Sequence, residues 1–533
     1  MAYPVDIYSQ VNVAGTTLLA DDDHSARHNA IGTDVAAIEA VIGTNAGTSV
    51  LKNFSAGDFA ARVNNETLGT PTIIGANITG GTISNVTGVN SAYLTVGTAN
   101  ADYICDGTAD NVQIQAAIDA ATTNGGIVFI KEGTYNISGV LIIKDGVHVQ
   151  GAGIGATILK ASTALGGIFY NSSTTTTYTD IAITDMTLDA DNQTTTSCIQ
   201  VLKFVRLRVE NLLIKNCTNI WALRVGETVT DEDTSKSTNY IARNIYIDGC
   251  TSTGLEQMIV VNTNYFLLDT IVFTNNDNST NANLSIYSFS RYGDIRNTVY
   301  IDSTSPFAQI QVVGCSDITI RNQYVNITSG NNGRAVWISS CKNVDVIDCN
   351  WQYTDTLSGI GVYVLDLNST IDGHTNPYPD SSYLTLQNNK MINGYSLYQS
   401  GYIGTGNFCA QTNVSIVNNQ AEQIYNGVII AGSANITGTI NNYIIANNIF
   451  KMKGTTNTTG IFAEGNGTYP LYNFNIQNNQ VLFSGTSGIN YGIQSDYMGT
   501  SIITGNILYP TGSGTAYSIS HGTGNTIANN ILT

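Results

Sequence analysis

One phrase recurs from Asp185 to the C-terminus: two or three apolar or β-branched residues, then Asn or Asp, then another strand-like run. It reads Ile183-Thr184-Asp185-Met186 and Val209-Glu210-Asn211-Leu212 early, Ile320-Arg321-Asn322-Gln323 midway, and Val417-Asn418-Asn419-Gln420 and Ala446-Asn447-Asn448-Ile449 late. With Asp185, Asn211, Asn244, Asp269, Asn297, Asn322, Asp348, Asn389, Asn419, Asn448, Asn479, Asn506 and Asn530 as anchors, the period is about 24 to 41 residues, the mark of a solenoid. Each unit holds two or three runs with apolar residues at every second position, such as Val205, Leu207 and Val209 followed by Leu212 and Ile214. No unit holds a helical run of useful length. Units built only of short strands and tight bends stack as a parallel β-helix, each strand in register with its copy one coil on, ~4.8 Å away. Asn suits the bends twice over, because it tolerates left-handed backbone and its amide pairs with the Asn above and below.

The alternation also sets side-chain direction. Residues one and three past an anchor read apolar and point inward, while those two and four past it point out. The outward fourth position reads Asp189, Lys215, Asp248 on successive coils, with Asp191 one bend on and Tyr246 beside it. Two coil steps put Asp189 and Asp248 roughly 9–10 Å apart, near the upper end of the ~6.5–9.5 Å between acid and base in inverting glycosidases. Asp189, Asp248 and Asp191 are therefore candidate catalytic residues, and Lys215 and Tyr246 candidate ligand contacts. The competing reading is an exposed ion ladder worth a fraction of a kcal/mol. Glu256, Asp355 and Glu464 stay open as carboxylates that a second subunit would complete. Trp221, Trp337 and the tyrosines suit sugar rings where they are exposed, whereas Trp351 falls at an inward position. Two long periods hold extra residues, Val225–Asn239 with Asp231-Glu232-Asp233, and Leu365–Ser381 with His374 and Tyr378. Extra residues in a solenoid emerge as loops over one face, so His374 and Tyr378 join the candidate ligand contacts.

Composition narrows the partners. A formal charge of −18, with 21 Lys and Arg spread along the chain, argues against nucleic acid, which needs clustered cations. With 11% charged residues, the surface must be polar through amides and hydroxyls, a chemistry suited to sugars. The first thirty residues lack the layout of a signal peptide, and no apolar run reaches the ~18 residues of a membrane span. The expectation is a protein with no export signal and no membrane insertion. Cys217 and Cys250 follow their anchors by equal offsets, and Cys315 and Cys341 precede theirs by equal offsets, so they read as small core fillers with unbridged thiols. No Cys spacing suggests a metal, and no cofactor is expected.

Residues 1–90 do not share the repeat. Thr33-Asp34 can cap a helix carrying Val35, Ile38, Val41 and Ile42, and Gly75-Ala76-Asn77-Ile78-Thr79-Gly80 is echoed by Ser84-Asn85-Val86-Thr87-Gly88. Such pieces are marginal alone and read as an attachment segment and a shaft of intertwined chains. Asp21, Asp22, Asp23, His24 and His28 read as a solvated turn rather than a metal cluster. From Thr95 the text changes to "DGTAD", the helix "VQIQAAIDAA", the strands "GGIVFIKEGTY" and "VHVQGAGIGATIL", and the coil "MTLDADN". Residues 95–220 resemble in these motifs the opening module of the pectate-lyase-like superfamily, as found in bacteriophage tailspikes and related polysaccharide-acting β-helices. The stretch "HSARHNAIGTDVAAIEAVIGT" is similar to attachment segments of phage tail fibres. The Asn-Thr-Asp, Gly-Asp-Asp and Gly-His-Gly runs of polygalacturonases are absent, with Asp372-Gly373-His374 the nearest trace, and no calcium-and-arginine grouping of pectate lyases stands out.

The expectation is an all-β right-handed parallel β-helix of about 12 or more coils with an N-terminal capping helix. Residues 1–90 would be attachment segment and shaft, 91–165 the opening module, and 166–533 the β-helix body. The resemblance implies a virion tail fibre or tailspike, extracellular and homotrimeric, bound to a tail or baseplate protein through residues 1–90. It would recognise a cell-surface glycan, with cleavage by a glycoside hydrolase or lyase mechanism left open. A structural filament or virion decoration protein, and a secreted polysaccharide lyase or hydrolase, are the alternatives.

Overall fold

The structure is a computed structural model. It describes residues 92–532 except positions 304 and 306 and the segments 123–124, 195–196, 228–235, 279–280, 328–332, 355–358, 366–369, 372–373, 376–380, 402–410, 432–439, 454–457, 466–469, 485–489, 510–514 and 521–523. The chain divides at Val86 and Thr87 into two units. The expected attachment segment and shaft lie outside the described residues.

The described part is a parallel β-solenoid of about 12 turns. Each turn contributes a strand to each of three long parallel sheets. In the first sheet Leu207 pairs with Ile181 on one side and Tyr240 on the other. In the second, Ile214 lies between Leu188 and Ile247. In the third, Leu223 lies between Ile199 and Met258. The inward residues of all three meet in one continuous core, where Met186, Leu188, Leu212, Ile214, Ile245 and Ile247 have no exposed surface.

Among the described residues a single helix, α1 (Asn111–Ala121), closes the N-terminal end of the solenoid, with Ile114, Ala117, Ile118 and Ala121 fully buried. Its face covers apolar surface that the first coil would otherwise leave to solvent. Asp110, just before it, does not cap the helix but accepts the backbone N–H groups of Gly107 and Asn136, each at 2.8 Å. That ties the "DGTAD" turn to the strand Gly133–Ile137.

The bends hold two amide ladders one residue apart, not one. The left-handed corner between the first and second sheets is Asp185 (φ 61°), Asn211 (55°), Asn244 (53°), Thr270 (59°) and onward to Asn388 (56°), Asn418 (58°), Asn447 (57°) and Asn478 (55°). The anchors Asp269, Asn389, Asn419, Asn448, Asn479, Asn506 and Asn530 are therefore displaced by one position from the true corner. Asp269 precedes it, and the others follow it and point into the core. In the Asn-Asn pairs, and in Gly505-Asn506, the first residue supplies the left-handed turn and the second replaces an apolar core residue. The interior row runs Asn389 to Asn419 (3.0 Å), to Asn448 (3.0 Å), to Asn479 (2.9 Å), to Asn506 (3.0 Å) and to Asn530 (2.9 Å), each Nδ2 donating to the next Oδ1.

Cysteines and serines take the same interior role at other bends. The Cys217 backbone N–H donates to Cys250 Sγ at 3.4 Å, and that of Cys250 to Asn276 Oδ1 at 2.8 Å. The described cysteines form no disulfide and are all buried. Trp351 is fully buried, with its indole N–H donated to Gln323 Oε1 at 2.9 Å.

Candidate functional site

The column expected on the second sheet is formed. Lys215 pairs in register with Asp189 on one side and Asp248 on the other, and Lys160 precedes Asp189. Every carboxylate in it is engaged. Asp189 is 6% exposed, accepts the Asn216 amide (2.8 Å) and the Asp191 N–H (2.9 Å), and pairs with Lys215 at 3.1 Å. Burial opposes its charge, but those donors outweigh burial and hold its carboxyl below the ordinary range. Asp191 pairs with Lys160 at 3.0 Å, and Asp248 accepts from Thr274 (2.8 Å) and Asn275 (2.9 Å). Tyr246 is 40% exposed on the same sheet. The backbone of His374 forms a two-residue strand antiparallel to Thr370–Ile371. Tyr378, Asp355 and Asp231-Glu232-Asp233 lie outside the described residues.

The third sheet brings together a group the spacing did not reveal. Its outward side chains line up from Gln200 through Arg224, Ile259, Ser285 and Gln311 to Trp337, Tyr363 and Gln399. Outward positions on a sheet ordinarily face solvent, yet Ile259, Gln311, Trp337 and Tyr363 are all buried. Residues on the bend leading into this sheet reach over it. Trp221 packs on the apolar shelf of Ile259, Val261, Tyr287 and Val313, and Phe307 lies against Trp337 with ring centroids 3.8 Å apart.

Glu256 sits at the edge of that shelf, 5% exposed. Its Oε2 accepts the indole N–H of Trp221 at 3.2 Å, and its Oε1 accepts the phenol O–H of Tyr287 at 3.0 Å. Tyr287 also lies 2.7 Å from Gln311 Oε1. One phenol proton cannot serve two acceptors, so with the Gln311 amide turned over its nitrogen donates to Tyr287 while Tyr287 donates to Glu256. The Arg224 guanidinium lies over the Trp221 ring, 4.4 Å from its centroid. Burial lowers the pKa of Arg224, against the pull of Glu256 and Tyr170. A buried carboxylate, a guanidinium, a phenol and an indole thus converge, a set able to stack on a ring and to exchange a proton with it.

Farther along the same face, Arg334 stands among Phe307, Trp337 and Tyr363, 4.3 Å from the Tyr363 centroid. Glu464 and Asp496 are adjacent in register, and burial, then the charge of Asp496, raises the Glu464 carboxyl above its ordinary range. Among the described residues, no group of three or more His, Cys, Asp or Glu could hold a metal ion, and no helix is long and apolar enough to cross a membrane.

Residues 96–287 match the family described as rhamnogalacturonase A/epimerase, pectate lyase-like, a stretch that contains Trp221, Arg224, Glu256 and Tyr287. Alginate lyase 7 of Azotobacter vinelandii is 38% identical over 103 residues, 17% of this chain and 12% of that protein. Mannuronan C5-epimerase AlgE4 of the same organism is 45% identical over 64 residues, 10% of this chain and 12% of the epimerase. The chain therefore spans only 12% of the length of each of these curated relatives. Among solved structures, a tailspike protein of E. coli bacteriophage HK620 superposes with a TM-score of 0.53 at 12% identity, over 78% of this chain and 76% of the tailspike. That likeness is one of fold. The described residues form a parallel β-solenoid, and its stretch 96–287 is similar to the pectate-lyase-like family.

Proposed function

We propose that this protein is a virion tail fibre or tailspike that binds a cell-surface polysaccharide along its third sheet and depolymerises it, working as a homotrimer attached through residues 1–90. The observation that carries the reading is Glu256, a carboxylate buried between the Trp221 indole and the Tyr287 phenol beside Arg224. Trp221 supplies a face for a sugar ring, Arg224 a cation for a negatively charged substituent, and Glu256 with Tyr287 the group that takes or gives a proton at the reacting centre. Two relatives named for alginate and mannuronan, and a tailspike with the same fold, support a polysaccharide as the ligand. Incubation of the full chain with isolated surface polysaccharides, followed by sizing of the products, tests it. Release of oligosaccharides supports the reading, and polymer that is neither bound nor shortened overturns it.

The register of Asp189, Lys215 and Asp248 favours a second place for the chemistry, on the second sheet. There Asp189 and Asp248, two coil steps apart, would act as acid and base, with Asp191, Lys215 and Tyr246 contacting the sugar. His374 and Tyr378, on the long connection between Leu365 and Ser381, remain proposed ligand contacts.

A further inference from the structure

The first sheet changes character along its length. From Arg206 to Asp345 each of its strands carries outward charge, much of it in one cross-coil network. Arg243 bridges Glu210 (3.5 Å) and Asp269 (3.7 Å), Arg296 bridges Asp269 (2.9 Å) and Asp294 (3.5 Å), and Arg321 holds Asp294 (2.6 Å). Beyond Asp345 the charge stops. The strands Ser382–Gln387, Thr412–Val417, Asn441–Ala446, Leu471–Gln477, Ile502–Thr504 and Thr526–Ala528 contain no Asp, Glu, Lys, Arg or His. This face exposes the large apolar groups Tyr383 (52%), Ile444 (44%), Tyr472 (41%) and Ile502 (48%). The strands pair without a register shift, so the surface is regular.

We infer that this uncharged half of the first sheet is where copies of the chain pack against one another around an axis parallel to the solenoid. The inference rests on the multimeric part of the reading above and names its surface. Self-association around such an axis brings each residue close to its own copy at the same height, so any charge on the contact face would meet like charge. A chain with a net charge of −18 repels its copies least through a face free of charge, and this face is free of it. A partner of opposite charge would instead select the half that carries Arg243 and Asp294. Four strands about 20 Å long and two about 10 Å long, at ~4.8 Å spacing, present roughly 500 Å² per copy, so a pair of copies buries on the order of 1,000 Å², enough for a specific interface.

The test is the solution mass of the full chain by light scattering at micromolar concentration, for wild type and for a Ser415→Glu/Ile444→Glu variant. Both side chains lie on the outer side of the sheet, and circular dichroism with thermal melting checks that the variant is folded. Thr319→Glu, on the charged half of the same sheet, is the control. The inference predicts a wild-type multimer, an unchanged mass for the control, and at least a tenfold weaker association for the double variant. A wild-type monomer overturns both the multimeric reading and this interface. A multimer whose mass survives the double variant overturns the interface alone, as does a double variant that stays multimeric but loses glycan binding, which would assign the face to sugar.

Discussion

The side-chain amide of Asn448 donates to Asn479 Oδ1 at 2.9 Å inside the core, and the same Asn479 oxygen accepts the Asn448 backbone N–H at 3.0 Å. A second proton of the Asn448 amide goes to the Ile416 carbonyl at 2.8 Å. From Asn389 to Asn506 the row is buried, yet its members satisfy one another, which is the condition for polar groups in a dry interior.

Replacing Asn448 by Ala leaves the Asn419 N–H and the Ile416 carbonyl without their partners. The expected loss is about 2–4 kcal/mol, against about 1 kcal/mol for Asn447→Ala at the adjacent left-handed corner. Denaturant unfolding of the two variants measures the difference, and equal losses would mean that the interior row adds nothing beyond the turn.

The Asp189 carboxyl is held below its ordinary range, so the stability it adds is present above the unfolded value of ~3.9 and is lost as pH falls through the lower folded value. Asp189→Asn is expected to narrow the gap in melting temperature between pH 6 and pH 3. A gap as wide as wild type would show that Lys215 and Asn216 do not favour the ionised form.

Glu464 has the opposite sign. Its folded-state carboxyl is raised, first by burial and then by Asp496, so its ionisation opposes folding above that raised value and the penalty disappears as pH falls through it. Glu464→Gln is expected to raise the melting temperature at pH 8 by a few degrees and to leave it unchanged near pH 4, in parallel melts of the variant and wild type. A lower melting temperature at pH 8 would assign Glu464 an attractive partner in its ionised state.

Glu256→Gln is expected to cut oligosaccharide release by about 10²–10⁴-fold with little change in binding, because it removes the proton-exchanging group and keeps the shape. Tyr287→Phe should cost less, and Asp248→Asn should stay within about twofold of wild type. The reverse order, with Asp248→Asn inactive and Glu256→Gln active, would move the chemistry to the second sheet.

The solenoid was legible because equal side chains recur at equal intervals, and the Asp189–Lys215–Asp248 column follows from that recurrence. Which Asn of each Asn-Asn pair makes the turn was not legible, since either tolerates left-handed backbone and only the packing of Asn389 or Asn419 against the core decides. The Glu256 group was hidden for a different reason. Trp221 stands 35 residues before Glu256 and Tyr287 31 after it, and neither spacing matters until the bends fold over the third sheet. Glu256 itself could be marked as an open carboxylate, but its partners belong to the tertiary structure.

Hydroxyl-radical footprinting of the full chain, with and without the polysaccharide it binds, tests the central claim most directly because it reads aromatic side chains on two different sheets at once. The account predicts that sugar protects Trp221 over the third sheet and leaves Tyr246 on the second sheet as reactive as before. Protection of Tyr246 with Trp221 unchanged would contradict it.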